Sequence, residues 1–437
     1  MARRRFVVVC EDYAGLGWAI RLNQDGDDVT LVTQPSIDEE DLAGHDLIGT
    51  GIVPKVDLET AIADKSLKDA YWLFEANRHS DVSERLRRKG YNVFGASALS
   101  AKLELDRAYG VSVAQSVGLD IPETVEFTTI KDGLSFLDEH LDLAYVFKPN
   151  ASSESWRTFV PNRQDDVASN RQLSGYLEHL DSGAIADGFI LQERKKGVEV
   201  NFELFMYQGQ PFFALCDLET KRKLNRDKGE HCGCSSDVVF QIPITCQGIT
   251  QTVGRFETFY HKNKYTGFAD VNAIISDRNV WFLEFCARFG YSSHPNLFMT
   301  CAIDPFGDLM ADWIDGKIDG FAKRFRQGFG ASVNLYLDHP QRGIPLWIDP
   351  KAERSFYAYD CYRDDEGELL LAGYSTDVGV YAQHAYTMED AAATVLQGLD
   401  REAVAFAELG VRTDLDQRGY PSSPLSRYDA LVAMGAL

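Results

Sequence analysis

The stretch from Thr266 to Gly290 constrains this chain more than any other. Gly267-Phe268-Ala269-Asp270-Val271-Asn272-Ala273-Ile274-Ile275 alternates as a strand does. Ser276-Asp277-Arg278-Asn279 is turn chemistry, and Val280-Trp281-Phe282-Leu283-Glu284-Phe285 is a second run of β-formers. The pattern predicts a hairpin. Its anomaly is Glu284, a carboxylate at the end of an otherwise apolar strand. An unpaired buried carboxylate is costly, so Glu284 requires a cation or strong donors. Arg288 follows on the same strand end. A carboxylate and a guanidinium leaving one strand together suit a magnesium-polyphosphate site, and the plainer alternative is a strand-end salt bridge.

With 437 residues, roughly two to four domains are expected. The formal net charge of -22 opposes binding along a nucleic-acid backbone, which requires several Lys or Arg on phosphates. It is compatible with a nucleotide-sized substrate in a locally basic cleft. No apolar run has the length of a membrane span. Met1-Ala2-Arg3-Arg4-Arg5 is followed only by Phe6-Val7-Val8-Val9-Cys10, which reads as a buried strand rather than a signal peptide. The eight cysteines are scattered, as reduced core thiols are, which implies a cytoplasmic location. His231-Cys232-Gly233-Cys234 is the one cluster, and its spacing is not that of a zinc site.

Residues 3-10, the glycine turn Gly15-Leu16-Gly17 and residues 28-33 read as a βαβ opening. The third glycine of a dinucleotide fingerprint is Ile20 here, so a structural Rossmann-like domain is the favoured reading. Further strands are expected at 69-74 and 91-94, with a helix near 80-90. A helix is expected from Ser97 to Val117, stopped by Gly118 and Pro122. Strands at 124-127, 144-148 and 189-193 alternate with helices near 131-141 and 164-181. Lys148 ends its strand before a loop of small residues, where an ammonium and backbone N-H groups suit phosphate; a snorkelling lysine is the alternative. Glu199, Asn201 and Glu203 alternate along the next strand and read as a solvated face. Lys221-Arg222-Lys223 opens a basic cluster in an acidic chain. The C-terminal part shows strands near 331-337, 355-361, 368-372 and 378-382, then a helix from Met388 to Leu409.

The order of these motifs resembles the ATP-grasp enzymes, and most closely the phosphoribosylamine-glycine ligase family of purine biosynthesis. Asn92-Val93-Phe94-Gly95-Ala96-Ser97 with Leu103-Glu104 is similar to that family's lead into the ATP-grasp region. Val146-Phe147-Lys148 is similar to its lid strand, and Leu191-Gln192-Glu193 through Gly197-Val198-Glu199 to its nucleotide hinge. Lys221-Arg222 sits where the family has a basic pair. Leu283-Glu284-Phe285-Cys286-Ala287-Arg288-Phe289-Gly290 resembles its metal and phosphate motif, and Gly410-Val411-Arg412-Thr413-Asp414-Leu415 its closing motif.

The resemblance implies an α/β and α+β multidomain protein. Residues 1-95 would form a Rossmann-like domain, 96-325 an ATP-grasp region with a lid at about 123-193, and 326-437 a β-rich C-terminal domain. ATP and magnesium (or manganese) are the implied cofactors. Lys148, with Arg107 at the family's first phosphate lysine, would hold phosphates. Gln192 and Glu193 would clamp adenine, Glu199 the ribose, and Glu284 with Asn272 the metal. Arg288, Lys221 and Arg222 would steady the γ-phosphate and an acyl-phosphate. The partners would be an amino acid and an amine acceptor, with no membrane, and the protein a monomer or homodimer.

The chain departs from the family at several positions. Arg107 replaces a lysine, Cys286 stands where an asparagine ligates the metal, and the glycine-rich lid loop reads Ala151-Ser152-Ser153-Glu154-Ser155-Trp156. The substrate loop is replaced by Glu230-His231-Cys232-Gly233-Cys234-Ser235, and the acidic stretch after Arg288 by Tyr291-Ser292-Ser293-His294-Pro295. The ATP end is partly kept and the acceptor end rebuilt, which fits a specialised or phage relative with another amine acceptor. The alternatives are the housekeeping ligase itself and a non-catalytic nucleotide-binding scaffold.

Overall fold

The computed structural model describes residues 3-34, 42-150, 158-161, 165-180, 188-406 and 408-437; the lid loop Ala151-Trp156 lies outside them. The chain opens with five parallel strands, β1 (Arg5–Cys10), β2 (Asp28–Thr33), β3 (Lys55–Val56), β4 (Tyr71–Phe74) and β5 (Asn92–Phe94), in the order β3-β2-β1-β4-β5. β1 is buried from Phe6 to Cys10, as its unbroken apolar run requires of a strand covered on both faces. The helix Gly15–Gln24 packs closely: a Cβ at Gly17 would fall 1.9 Å from the Tyr357 ring.

The single helix expected from Ser97 to Val117 is two, Ala98–Leu105 and Arg107–Ser116. Asp106 interrupts it, because its side chain accepts a hydrogen bond from the Tyr109 N-H and caps the second helix. Gly118 then ends that helix at φ +83, a conformation costly for any residue with a Cβ. A small antiparallel sheet follows, with β6 (Thr124–Phe127), β7 (Tyr145–Pro149) and β8 (Phe189–Glu193) in the order β6-β8-β7. The helices Ile130–Glu139 and Asp166–Glu178 back it around a separate core of Leu137, Phe147, Leu173, Leu177 and Phe189.

The largest sheet is antiparallel. It comprises β9 (Val198–Tyr207), β10 (Gln210–Asp217), β11 (Thr220–Leu224), β12 (Lys228–Gln241), β13 (Gly267–Ile275), β14 (Val280–Cys286) and β15 (Phe329–Tyr336). Beyond the short strands β16 (Leu346–Ile348), β17 (Phe356–Ala358), β18 (Cys361–Arg363) and β19 (Leu369–Leu371), β20 (Asp377–Ala385) joins it, and β21 (Ala403–Ala405) closes the set. The order is β14-β13-β9-β10-β12-β15-β20-β17, with β11 on β12, so one sheet runs continuously past residue 326. The hairpin expected at 267-285 forms as β13 and β14. The helix that starts at Met388 ends at Glu402, short of the expected Leu409, where the chain turns into β21; a further helix, Pro424–Ala433, follows.

A further expectation is overturned. Asn201 and Glu203 do not face solvent: they are 5% and 1% exposed, on a sheet face covered by the segments Ser293–Asn296 and Leu297–Cys301. Alternation identifies two faces of a strand but not which one a later segment covers. Further along the same face Phe205 stacks on Trp313, at 4.6 Å between ring centroids, within an aromatic core. All eight cysteines are free thiols, and no described helix is long and apolar enough to cross a membrane.

Candidate active site

The open end of that face gathers charge from four segments of the chain. Lys221 on β11 reaches Glu199 on β9 at 3.0 Å, Glu219 at 3.7 Å and Glu284 on β14 at 3.9 Å. Burial alone would lower the Lys221 pKa, but these three carboxylates outweigh it and hold the ammonium well above its ordinary value. Burial likewise pushes Glu199 up, yet Lys221, His231 and Arg427 bring it down to about 2. Glu284 is held below its ordinary value by Lys221, Lys148 and Arg107 against the opposing effect of burial. Its side chain remains 61% exposed, so it faces an open cleft rather than a sealed core.

Lys148 ends β7 on the lid side of this cleft. Burial, reinforced by Arg107 and Lys221, lowers its pKa to about 8 against the pull of Glu284 and Glu199. Among the described residues no hydrogen bond or ion pair holds its ammonium. Arg107 starts the second helix of the broken pair and donates to the Pro149 carbonyl at 3.4 Å, beside Lys148; the charge it feels is Glu284. Arg107, Lys148, Lys221, Glu199 and Glu284, distant in sequence, therefore share one electrostatic site.

Gln192 and Glu193, the expected hinge residues, lie at the end of β8, the middle strand of the small sheet. Gln192 Nε2 donates to Thr124 Oγ1 at 3.1 Å, and Glu193 is paired with Lys195. Lys195 in turn stands over the Trp281 ring, 4.0 Å from its centroid. Trp281 bridges to Asp120, where the chain enters the lid, and the Phe282 N-H donates to the Asp120 carbonyl at 2.8 Å. Lys195 and Trp281 join the end of the small sheet to β14. Only contact across the two sheets distinguishes them from an ordinary lysine and an ordinary strand tryptophan.

Two expected partners lie apart from this centre. Arg288 does not pair with Glu284. Its Nε lies 3.3 Å from Glu104 Oε1, and its guanidinium lies over the Tyr291 ring. Glu104 also accepts from the Ala287 N-H at 2.8 Å and from Asn77 Nδ2 at 2.6 Å, clamping the end of β14 to the first sheet's region. The cation that answers the Glu284 anomaly is Lys221, brought by the sheet rather than by the strand's own sequel. Arg222 alternates to the other side of β11, where it donates to the carbonyls of Gly229 (at 2.9 Å) and Val160. His231, opposite Arg222 in register, is drawn into the site: burial and then Arg222 and Lys221 lower its pKa to about 4, so it is neutral at pH 7.

The closing motif braces the strand that carries Lys221. Arg412 is fully buried; it pairs with Asp414 at 2.6 Å and Asp227 at 3.0 Å and donates to the Arg222 carbonyl at 3.0 Å. Asp414 also accepts from the Arg226 N-H at 2.6 Å, in a turn where Arg226 and Asp227 have φ +56. At the first βα turn the Gly15 N-H donates to Glu75 Oε2 at 2.9 Å. That helix N-terminus is already occupied by a carboxylate, which would repel a phosphate.

These residues fit a metal-bound polyphosphate. Arg107, Lys148 and Lys221 supply positive charge, and among the described residues Lys148 has no anion in direct contact. Asn272 lies directly opposite Glu284 in register, and its Oδ1 is buried without a hydrogen-bond partner while its Nδ2 donates to Asn201. One ionised carboxylate and one spare amide oxygen suit a magnesium ion that takes its other oxygens from phosphate and water. Cys286 does not fit: burial pushes its thiol well up, and its Sγ donates to the Arg288 carbonyl at 3.5 Å. Among the described residues no three His, Cys, Asp or Glu side chains form a cage of their own.

No protein-family model matches this sequence. It is 24% identical over 408 residues to a phosphoribosylamine-glycine ligase of Leifsonia xyli, covering 86% of this chain and 94% of that one. The crystal structure of the phosphoribosylamine-glycine ligase of Thermotoga maritima superposes with a TM-score of 0.66 at 16% identity, over 94% of this chain and 99% of that one. Biotin carboxylase of Campylobacter jejuni, crystallised with an ATP analogue, gives 0.63 at 13% identity, over 97% and 98%. An L-amino acid ligase of Bacillus licheniformis gives 0.55 at 15% identity, over 93% and 99%.

Proposed function

We propose, from the premise that this chain is a member of the ATP-grasp superfamily related at a distance to phosphoribosylamine-glycine ligases and biotin carboxylases, that it is an ATP-dependent carboxylate-amine ligase. It joins a glycine-like amino acid to a nucleotide- or sugar-like amine. The observation that carries this reading is the convergence of Lys148, Arg107 and Lys221 on Glu284 and Glu199 in a cleft between the lid sheet and the large sheet.

In this reading Lys148 and Arg107 hold ATP phosphates, Glu199 the ribose, and Gln192, Glu193 and the adjoining main chain the adenine. Glu284 and Asn272 hold magnesium, which neutralises phosphate charge. The amino acid's carboxylate oxygen attacks the γ-phosphorus and ADP leaves. The amine then attacks the acyl carbon, phosphate departs, and the amine proton passes to solvent. Lys221 steadies the charge on the transferring group, so the protein contributes mainly positioning and electrostatics. Arg288 acts from a distance by fixing the end of β14, and Arg222 by fixing the β11-β12 turn. The division at 95/96 and 325/326 and the lid at about 123-193 belong to this proposal, as does work in a reducing cytoplasm.

ADP release measured with Mg-ATP against a panel of amino acids and amines tests it. The expected result is turnover with one pair that Glu284→Gln nearly abolishes while the melting temperature holds. Unchanged turnover in that variant would overturn the metal assignment. Full turnover with glycine and phosphoribosylamine would identify the housekeeping ligase instead.

A further inference from the structure

Past Lys221 the same sheet face runs under the segments Ser293–Asn296 and Leu297–Cys301 into a buried layer that the ATP site does not use. Asp270 lies opposite Glu203, Asn272 opposite Asn201, and Asn201 opposite Asp217. Opposed residues share a face and stand roughly 4.5-5.5 Å apart at Cβ, where like charges repel. Asp237 belongs to the same layer, its Oδ1 accepting from Asn296 Nδ2 at 2.9 Å. Glu203, Asp217 and Asp237 are each at most 1% exposed.

Two independent features distinguish this layer from a set of acids that merely share a face. No Lys or Arg among the described residues forms an ion pair with Glu203, Asp217, Asp237 or Asp270. In addition, both carboxylate oxygens of Asp217, Asp270 Oδ1, Glu203 Oε2 and Gln241 Oε1 are buried without a hydrogen-bond partner. Buried polar atoms in folded proteins are nearly always paired, so a concentration of unpaired ones marks a place where a partner belongs. Gln241 is neutral, so the deficit is one of donors; and burial, which pushes the carboxyls of Glu203, Asp217 and Asp270 well up, leaves a positive charge wanting beside them. His294 answers only part of it. Its Nδ1 accepts from the Gly290 N-H at 2.9 Å, leaving the proton on Nε2, which lies 3.3 Å from Glu203 Oε2 without hydrogen-bond alignment.

A group rich in N-H donors and carrying positive charge meets both deficits. The carboxylates do not converge on one point as a metal cage would. Glu219, 3.7 Å from Lys221 and close enough to raise the Asp217 pKa, connects the layer to the cleft.

We infer that this layer is the recognition pocket for an alkylammonium group on the acceptor amine, with Asp217, Asp270 and Glu203 as its anionic wall. The role of that amine as acceptor rests on the ligase reading; the binding of the cation does not. Calorimetric titration of the full chain without ATP tests it, using 1,4-diaminobutane as probe and magnesium chloride and potassium chloride as separate titrants. Saturable diamine binding is expected, weakened at least tenfold by Asp217→Asn and by Asp270→Asn, with Mg-ATP binding unchanged in both. The assignment is overturned by the absence of saturable diamine binding to the unaltered chain, by equal binding in folded variants, or by a response to the metal salts alone. Should either variant fail to fold, the titration of the unaltered chain decides. Loss of Mg-ATP binding by the unaltered chain would sink the ligase reading and leave the diamine result standing.

Discussion

The glycine turn at Gly15 and the strand end at Lys148 both present donors beyond a sheet edge, and in sequence the glycine turn looks better suited to phosphate. At Gly15 the donor is taken, because Glu75 accepts the N-H at 2.9 Å. At Lys148 no described carboxylate is in contact with the ammonium, and burial has lowered its pKa to about 8. Glycines show that a backbone can come close; only unsatisfied donors show that an anion is wanted. Anion sites in such folds are therefore better sought by counting spare donors than by reading glycine spacing.

The largest effect expected is at the Lys148 end. Lys148→Ala should lower the rate of ADP release by about a hundredfold or more, the scale of losing a charge-stabilising donor. An effect below about threefold would remove the contrast with Gly15. Next comes the brace on β11. Arg412→Ala leaves Asp414 buried without its partner and should cost about 3-5 kcal/mol of stability in chemical denaturation. The equivalent loss at an exposed pair such as Arg418 with Glu389 should be within about 1 kcal/mol.

The pH dependence comes third. Lys148 is charged below about 8, so Mg-ATP affinity should fall as pH rises past 8, by up to about tenfold at pH 9. Lys148→Arg, which keeps its charge, should flatten that profile. The smallest effect belongs to Glu75→Gln, which should leave Mg-ATP affinity unchanged because its turn holds no phosphate. It should still alter stability against pH. Burial, then Asp12, raise the Glu75 pKa from 4.5 to about 7, so the folded state binds more protons than the unfolded one across that window. The associated stability is present below 4.5 and is lost as pH rises through 7, and the variant should remove that decline in thermal melts.

Much of the fold was legible because its signals are local. The alternation of Gly267 to Ile275 and the β-rich run to Phe285 are the hairpin observed, and the three strands and two helices of the lid fall where expected. The split at Asp106 was missed because a capping aspartate inside a helical pattern differs from a surface aspartate only in its rotamer. Lys148 and Glu284 were each suspect from their own surroundings, whereas Glu199 read as part of a solvated face and was singled out only by the family resemblance. Lys195, Trp281 and Glu219 were not suspect, because nothing near them in sequence departs from an ordinary strand or turn.

By itself the sequence determined that Glu284 needs a cation, that residues 266-290 pair with themselves, and that the chain follows an ATP-grasp order of elements. The first two are consequences of side-chain period and turn chemistry, which act over a few residues; the third rests on the resemblance of short motifs in a fixed order. The tertiary structure decided that the cation is Lys221 rather than Arg288, that Glu75 fills the glycine turn, and that Glu203 and Asp217 lie under a covering segment instead of in water. Burial and Coulomb pairing depend on which distant segments meet, and that is set only when the sheet closes its register.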